Sequence, residues 1–201
     1  PGYRHANWPV LYESTVKAVG DLPFEMIAVG PLWPKEIEYY FSDKANFKFI
    51  EDYGHPTRCA QIALTQATGD LLTWTSDDGE FTEGSLKECY DLLISSGDKD
   101  GVVVRYGEGG GTDMLGESYW TARTHQDLRI PGVREHYRIA PLGMYRTQYL
   151  KDIGGWDCRY EHLNMGNHDL AFRIQNDGGV LHLSPSPVFY CEWSAPQPDW
   201  K

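Results

Sequence analysis

Short strand-like runs alternate with helix-like segments along the first half of the chain. From Val10 to Leu22 apolar residues recur at helical spacing, and two apolar runs of strand length follow, Phe24 to Val29 and Phe47 to Ile50. Arg58 to Ala67 predicts a second helix, which leads into the β-prone segment Leu71 to Thr75. This alternation predicts an α/β fold with a twisted, mostly parallel sheet flanked by helices, in which ligands bind beyond the carboxyl ends of the strands.

The pattern continues after a polar turn, Ser76 to Gly79. Thr82 is placed to cap a helix whose inward face carries Leu86, Cys89, Tyr90 and Leu93, before a strand from Gly101 to Arg105. The Gly-rich and polar stretch 107–138 interrupts the alternation and is expected to form a loop over the substrate. Order then returns with Ile139 to Tyr145, helices at Gln148 to Ile153 and His168 to Asn176, and terminal strands.

Size and charge limit the classes of ligand. The chain has 201 residues, a length that predicts one domain over 1–201. Its net charge of -11 disfavours binding to nucleic acid, and it would also repel a phosphate-bearing small ligand. Such a ligand therefore requires a bound cation or local arginines. No stretch approaches the ~20 apolar residues of a membrane helix, so no transmembrane segment is expected.

The four cysteines, Cys59, Cys89, Cys158 and Cys191, are far apart in the sequence and form no C-x-x-C pair. Two of them lie in apolar surroundings within predicted elements. This pattern is typical of reduced core cysteines and predicts a cytoplasmic location.

Two adjacent carboxylates, Asp77 and Asp78, follow the predicted strand Leu71 to Thr75. Oxygen ligands at that position suit Mn²⁺ or Mg²⁺, and such an ion would stabilise a departing diphosphate. The alternative is that both residues form an Asx turn or cap the next helix, for which Thr82 is better placed.

Several segments together resemble family 2-like glycosyltransferases. Ala67-Thr68-Gly69-Asp70-Leu71-Leu72 followed by Ser76-Asp77-Asp78 is similar to that family's A-x-G-[DE] helix end, strand and D-x-D region. Leu150 to Asp157 and Gly166 to Arg173 resemble its G-G-[FW]-D and G-E-D-x-D-L-x-x-R segments. The resemblance implies a GT-A (Rossmann-like) fold and transfer of a sugar from a nucleotide diphosphate donor, with UDP expected, to a glycan acceptor hydroxyl.

The resemblance also assigns donor-binding residues. Pro1-Gly2-Tyr3-Arg4 is similar to the turn after the family's first strand, which implies that Gly2 and Tyr3 contact the donor and that this strand would precede residue 1. Arg58 resembles the basic residue near the donor phosphates, although its register is displaced by two and a surface arginine is the alternative. Asp77 and Asp78 complete the implied donor set.

The chain departs from the family at two places. Gly30-Pro31 replaces the Asp expected near the nucleobase, and Asn167 occupies the place of the acidic general base of inverting members. His168 or Asp169 is then the candidate catalytic base, with Asn167 as a predicted helix cap. The alternative is that Asp169 complements the helix dipole and His168 faces solvent.

A third metal ligand and an acceptor platform remain to be assigned. His182 is one candidate ligand, with a structural strand histidine as the alternative, and Glu192 is its competitor because a carboxylate suits a hard cation. Trp156 is the candidate for stacking on an acceptor sugar, ahead of Trp120 and Trp193, for which core packing is favoured.

Three functions remain in contention. An inverting glycosyltransferase is favoured, although a retaining reaction stays open because the usual base is replaced. A nucleotidyltransferase would normally open with a Gly-rich, basic phosphate loop, which the sequence lacks. A non-catalytic nucleotide-sugar or glycan-binding domain of the same fold is favoured by Asn167 and disfavoured by the Asp77-Asp78 pair.

Overall fold

Helices and strands alternate through most of the part of the chain that the structure describes. The computed structural model describes residues 5–31, 35–108, 138, 140 and 142–191. Its elements, in chain order after a 3-10 turn at His5–Asn7, are α1 (Trp8–Val19), β1 (Met26–Gly30), α2 (Lys35–Phe41), β2 (Phe47–Glu51), α3 (Pro56–Gln66), β3 (Leu71–Thr73), β4 (Gly79–Phe81), α4 (Ser85–Ile94), β5 (Gly101–Glu108), β6 (Gly143–Arg146), α5 (Thr147–Asp152), α6 (Leu163–Asn176) and β7 (Leu181–Cys191).

The strands form two sheets. β1 and β2 pair in parallel, and the other strands form a five-stranded sheet of order β3-β6-β5-β7-β4. In that sheet β5 and β7 are parallel, whereas β3 with β6, β5 with β6, and β4 with β7 are antiparallel. The α/β class is as predicted, but antiparallel pairs outnumber parallel ones, because β4 and β6 run against their neighbours. The predicted mostly parallel arrangement is therefore wrong for the five-stranded sheet.

Three apolar clusters bury the faces of these sheets. The first joins α1 and α4 to one face of the five-stranded sheet, with Cys89, Val102 and Phe189 fully buried. The second joins α3, α5 and α6 to the opposite face, around Tyr145 and Leu170. The third packs α1 and α2 against β1 and β2. Helices thus cover both faces of the five-stranded sheet.

Most predicted elements are present, with shifted ends. α6 begins at Leu163, five residues before the predicted start at His168, with His162 at its N-cap. Gly84, in the left-handed conformation with φ 72°, is the N-cap of α4, so the prediction that Thr82 caps this helix is wrong. The Thr82 carbonyl instead accepts hydrogen bonds from the Ser85 backbone N–H and hydroxyl. The short elements α2 and β4 were not predicted.

All four cysteines are free thiols. Cys89 and Cys191 are buried, as their apolar surroundings predict, and burial raises the pKa of the Cys89 thiol to about 12. Among the described residues, no helix combines the length and apolarity that a membrane crossing would need.

Candidate active site

The carboxyl ends of β1, β2 and β3 lie at one edge of the molecule. β1 and β2 are parallel, so Gly30 and Glu51 end side by side. At the opposite end, Oε1 of Glu25, just before β1, accepts hydrogen bonds from the Thr68 and Gly69 backbone N–H groups, three and two residues before β3. Because β1 and β3 start together, we infer that they also end at the same edge. This edge is where an α/β fold places its ligand.

The Asp77-Asp78 turn lies at this edge, between β3 and β4. Both side chains are partly exposed. The turn is anchored by Gly79, which pairs with Cys191 in β7; a Cβ at Gly79 would lie 2.3 Å from the Tyr190 carbonyl oxygen, so only glycine fits. From α1, the indole Nε1 of buried Trp8 approaches Asp77 Oδ2 at 3.5 Å, the long end of hydrogen bonding. The Trp8 indole thus approaches Asp77, and the pairing of β4 with β7 anchors the turn that carries both carboxylates.

Arg58, the predicted donor-binding arginine, lies in the first turn of α3 directly after β2. Its Nε and Nη2 donate to Oδ1 and Oδ2 of Asp52 at 3.0 and 2.9 Å, a bidentate pair. The Arg58 hydrogen bonds and the Gly54 backbone N–H hold the pKa of Asp52 below its usual range. Arg58 stays 55% exposed, so it can contact a ligand at this edge while Asp52 orients it.

Helices α3 and α6 both begin at this edge. His55 caps α3, its Nδ1 accepting from the Arg58 backbone N–H at 3.3 Å. The first turn of α6 packs against it, since a Cβ on Gly166 would lie 2.9 Å from Thr57 Cγ2. Helix N-termini carry free N–H groups and positive dipole ends, which favour anionic ligands.

Trp156 lies in the core and not on the surface. It is 2% exposed, its Nε1 donates to Asn167 Oδ1 at 2.8 Å, and its backbone N–H donates to Gln61 Oε1 at 2.7 Å. Its ring cannot stack on a sugar in this position, contrary to the acceptor role expected from the sequence. Asn167 is also internal to α6 and 1% exposed, so the prediction that it caps the helix is wrong.

His168 and Asp169 lie on α6 in different surroundings. His168 is half-buried, and burial lowers the pKa of its imidazole. Asp169 Oδ2 accepts from Arg173 Nε at 2.8 Å. The same guanidinium donates to the carbonyl of Ile153 at 2.9 Å and to that of Gly155, so it ties α6 to the Gly154-Gly155 turn. Asp169 is therefore part of a structural ion pair, and His168 is the less constrained of the two.

His182 lies at the opposite end of β7 from the Asp77-Asp78 turn. Cys191 pairs with Gly79, and His182 precedes Cys191 by nine residues along the strand, about 30 Å at ~3.3 Å per residue. Its Nε2 lies 3.0 Å from Asp100 Oδ2, and this contact lowers the pKa of Asp100 although burial opposes it. The structure therefore does not support His182 as a ligand of the same metal ion.

Several predicted site residues lie outside the described part of the chain. They are Gly2, Tyr3, Trp120, Glu192, Trp193 and most of the predicted loop at 107–138. Glu192, the alternative third ligand, directly follows Cys191, which pairs with Gly79 next to Asp78. Within the described residues, no group of three His, Cys, Asp or Glu side chains could hold a metal ion.

Sequence reasoning missed two residues that shape this edge, Trp8 and Asp52. Asp52 follows β2 and precedes Gly54, a strand-end pattern that could have been recognised from the strand assignment. Trp8 had no such signal, because its contact with Asp77 joins residues 69 apart.

The described part of the chain has the GT-A fold of glycosyltransferases, as its likeness to solved structures shows. The similar solved structures include S. aureus TarS residues 1–349, with a TM-score of 0.67 and 20% identity over 96% of this chain and 58% of that one. GalNAc-T7, solved with UDP, GalNAc and Mn²⁺, has a TM-score of 0.65 and 15% identity over 92% of this chain and 41% of that one.

The mannosyltransferase PcManGT from Pyrobaculum calidifontis, solved with GDP-Man and Mn²⁺, is also similar. Its TM-score is 0.62, with 14% identity over 96% of this chain and 55% of that one. The chain thus spans between two fifths and three fifths of these three structures, and at such identities the likeness concerns the fold. No protein-family model matches the chain, and no curated protein sequence matches it.

Proposed function

We propose that this chain is a metal-dependent glycosyltransferase domain that moves a sugar from a nucleotide diphosphate donor, with UDP as the nucleotide, to a hydroxyl of a glycan acceptor. The observation that carries the proposal is the Asp77-Asp78 turn, anchored at the strand-end edge of a GT-A fold. Arg58 and the start of α3 supply positive charge at the same edge.

Asp77 and Asp78 fit a hard divalent cation. Magnesium-type sites in proteins commonly use one or two carboxylates and complete their shell with water and substrate phosphates, so a two-carboxylate anchor is sufficient. We propose that both residues hold Mn²⁺ or Mg²⁺, with Glu192 as a further candidate ligand. The ion would supply neutralisation of the charge that builds on the departing diphosphate. Two similar structures were solved with Mn²⁺.

Donor binding is proposed to use Arg58, oriented by Asp52, together with Gly2 and Tyr3, which precede α1 in the sequence. A chain of net charge -11 cannot attract a diphosphate without such local cations. Gly30-Pro31 at the end of β1 leaves the nucleobase without the usual carboxylate, so its recognition must use other groups.

His168 is the proposed general base. Its lowered pKa keeps the imidazole neutral near pH 7, the form that accepts a proton from an acceptor hydroxyl. Asp169 is a weaker candidate because the Arg173 guanidinium already occupies Oδ2. Direct displacement with such a base inverts the anomeric carbon. Product configuration by NMR tests this, since a retained anomer would rule out the single displacement.

Calorimetric titration with UDP and GDP, each with Mn²⁺ and with EDTA, tests the donor site. We expect UDP binding that requires the metal and is lost in Asp78→Asn, which keeps the shape of the side chain but not its charge. Asp98→Asn is the matched control, because the Asp98 side chain is fully exposed in the loop before β5. Nucleotide binding by Asp78→Asn equal to that of the wild type would contradict the proposed metal site.

A non-catalytic nucleotide-sugar or glycan-binding domain is the second candidate. The observation that favours it is Asn167, which occupies the place of the family's acidic base and is committed to Trp156 at 2.8 Å. UDP release from UDP-sugars distinguishes the two functions. Metal-dependent binding without UDP release, with or without glycan acceptors, would support the binding domain.

A further inference from the structure

The guanidinium of Arg105 in β5 lacks the partners that the other described arginines have. Its Nε is sealed from solvent and makes no hydrogen bond. Among the described groups, Arg105 hydrogen-bonds through its backbone N–H, which donates to Ser184 Oγ at 2.9 Å. The remaining described arginines each donate a side-chain hydrogen bond; these are Arg58, Arg138, Arg146, Arg159 and Arg173.

This arrangement is costly and calls for a ligand. The sealed Nε donor loses its hydration without gaining an acceptor, and such unsatisfied buried donors are rare in folded proteins. The chain has 29 acidic side chains, yet no carboxylate in its described part forms an ion pair with Arg105. The protein therefore keeps a positive charge available at this place.

Arg105 lies close to the Asp77-Asp78 edge. Glu108 in β5, Cys191 in β7 and Gly79 in β4 form one row across three strands, and Arg105 is three residues, about 10 Å, from that row. The pairing of β5 with β7 shifts register on both sides of Arg105. The extra residues lie in β7, so β5 keeps its regular alternation at Arg105, and such bulges are frequent beside active sites.

Arg105 also lies on the face of the sheet that α6 covers. Its neighbours Val104 and Tyr106 belong to the cluster under α1 and α4, whereas Val103 packs with Leu170 and Ile174 of α6. Because successive side chains of a strand point to opposite faces, Arg105 lies on the face opposite to Val104 and Tyr106, which is the face of Val103. It is therefore on the same side of the sheet as His168, nearer the edge than the apolar core.

We propose that Arg105 binds a phosphoryl group of a substrate on the α6 side of the sheet. The proposal rests on the proposed function, and it adds a cation site separate from Asp77 and Asp78. The phosphoryl group belongs either to the donor diphosphate or to a phosphate-bearing acceptor. Both sources present the same chemistry to the guanidinium, which donates paired hydrogen bonds to phosphate oxygens.

A stability measurement separates a binding role from a structural one. Arg105→Met keeps the apolar stem and removes the charge that lacks a partner, so the melting temperature of the ligand-free protein should stay unchanged or rise. Arg146→Met is the matched control: Arg146 Nη2 donates to the Leu93 and Ser96 carbonyls, so its melting temperature should fall. A fall for Arg105→Met as large as that for Arg146→Met would overturn the proposal.

Binding measurements then identify the source of the phosphoryl group. The probes are UDP with Mn²⁺, inorganic phosphate alone in EDTA, and inorganic phosphate with saturating UDP in the presence of the metal. Loss of one charge-assisted hydrogen-bonding group predicts about a tenfold weakening for Arg105→Met. Weaker UDP binding indicates the donor. Unchanged UDP binding with weaker phosphate binding indicates the acceptor.

Two controls make the result decisive. Lys87→Gln removes one positive charge from the exposed Lys87-Asp91 pair on α4 and should change neither affinity. Asp78→Asn should remove metal-dependent UDP binding but leave phosphate binding in EDTA intact, so failure of the metal site is distinguishable from failure of Arg105. Equal affinities of wild type and Arg105→Met for both probes, or no binding of either probe by the wild type, would overturn the proposal.

Discussion

The indole of Trp156 and the amide of Asn167 form a buried pair that joins the Gly154-Gly155 turn to α6. Trp156→Phe removes the indole donor and leaves a small void, so we expect the free energy of unfolding to fall by about 1 to 3 kcal/mol. Urea unfolding measures the change.

Tyr53→Phe is the control for Trp156→Phe, because Tyr53 is 73% exposed and loses only a surface hydrogen bond to Glu51. If Trp156→Phe left stability intact and weakened binding to an acceptor glycan, the stacking role would be restored and the core assignment would be wrong.

His168 predicts a pH dependence of stability. Burial lowers its pKa in the folded state, so between that value and the ordinary value of about 6.5 the unfolded chain binds more protons. The contribution of neutral His168 is therefore complete above about pH 6.5 and is lost as the pH falls toward the folded pKa. His168→Asn cannot titrate in this range. Its urea midpoint should therefore fall less than that of the wild type between about pH 7.5 and about pH 5.

The control for His168→Asn is His162→Asn, since His162 is exposed at the N-cap of α6. A decline in His168→Asn as steep as in the wild type would show that other groups cause it. Loss of sugar transfer in His168→Asn with metal-dependent UDP binding unchanged would support its proposed role as base.

At the scale of elements, Arg173 decides where α6 sits. Its guanidinium joins Asp169 to the carbonyls of Ile153 and Gly155, which lie in the turn after α5. Arg173→Lys keeps the charge but cannot reach three acceptors in a planar fork. We expect a loss of about 2 kcal/mol in the free energy of unfolding, since carbonyls near the core lose their donors.

Lys87→Gln is the matched comparison for Arg173→Lys. It breaks another i,i+4 ion pair, Lys87 with Asp91, which is exposed on both sides and should leave the urea midpoint nearly unchanged. If the two variants lost stability equally, the carbonyl contacts of Arg173 would not be what anchors α6.

The elements that could be predicted are those with a strong period. α1, α3 and α4 show apolar residues at helical spacing, and β1, β2 and β5 are apolar runs of strand length. α2 buries only Ile37 and Phe41 over seven residues, too few to reveal a helix. β4 has three residues and follows a polar turn, and only its pairing with β7 makes it a strand. Local pattern cannot reveal an element defined by a partner 110 residues away.

The candidate site divides in the same way. Asp77, Asp78 and Arg58 directly follow strands along the chain, so their position at the ligand edge could be predicted from strand order. His182 and Trp156 could not be placed, because their roles depend on long-range packing. β4 runs antiparallel to β7, so that Gly79 pairs with Cys191 at one end of β7. His182 lies at the other end, where its Nε2 contacts Asp100 Oδ2. Sequence order alone does not distinguish the two ends of a strand 11 residues long.

For the whole molecule, the joint between the two sheets is the place where stability and the site are linked. Glu25 Oε1 accepts from the Thr68 backbone N–H, the Thr68 hydroxyl and the Gly69 backbone N–H at 2.6 to 2.9 Å, so one carboxylate ties β1 to the start of β3. Burial raises the pKa of Glu25, but these hydrogen bonds prevail and lower it.

Glu25→Ala should therefore loosen the two-stranded sheet against the five-stranded one. Because Glu25 is exposed and screened by solvent, we expect a loss of only about 1 kcal/mol in the free energy of unfolding. The lowered pKa makes this contribution complete above the unfolded value of about 4.3, and it is lost as the pH falls through the folded value. Urea unfolding should thus distinguish Glu25→Ala from the wild type at neutral pH but not at about pH 3.5.

Hydrogen exchange locates the effect of Glu25→Ala. Exchange should accelerate in β1 and β2, which include the strand ends that carry Gly30 and Asp52, while β5 and β7 stay protected. Glu38→Ala, an exposed carboxylate on α2, is the control and should change neither stability nor exchange. Because Asp52 orients Arg58, the looser sheet should also weaken metal-dependent UDP binding. Faster exchange in β5 and β7 to the same degree would show that the two sheets unfold as one unit and that Glu25 is not a separate joint.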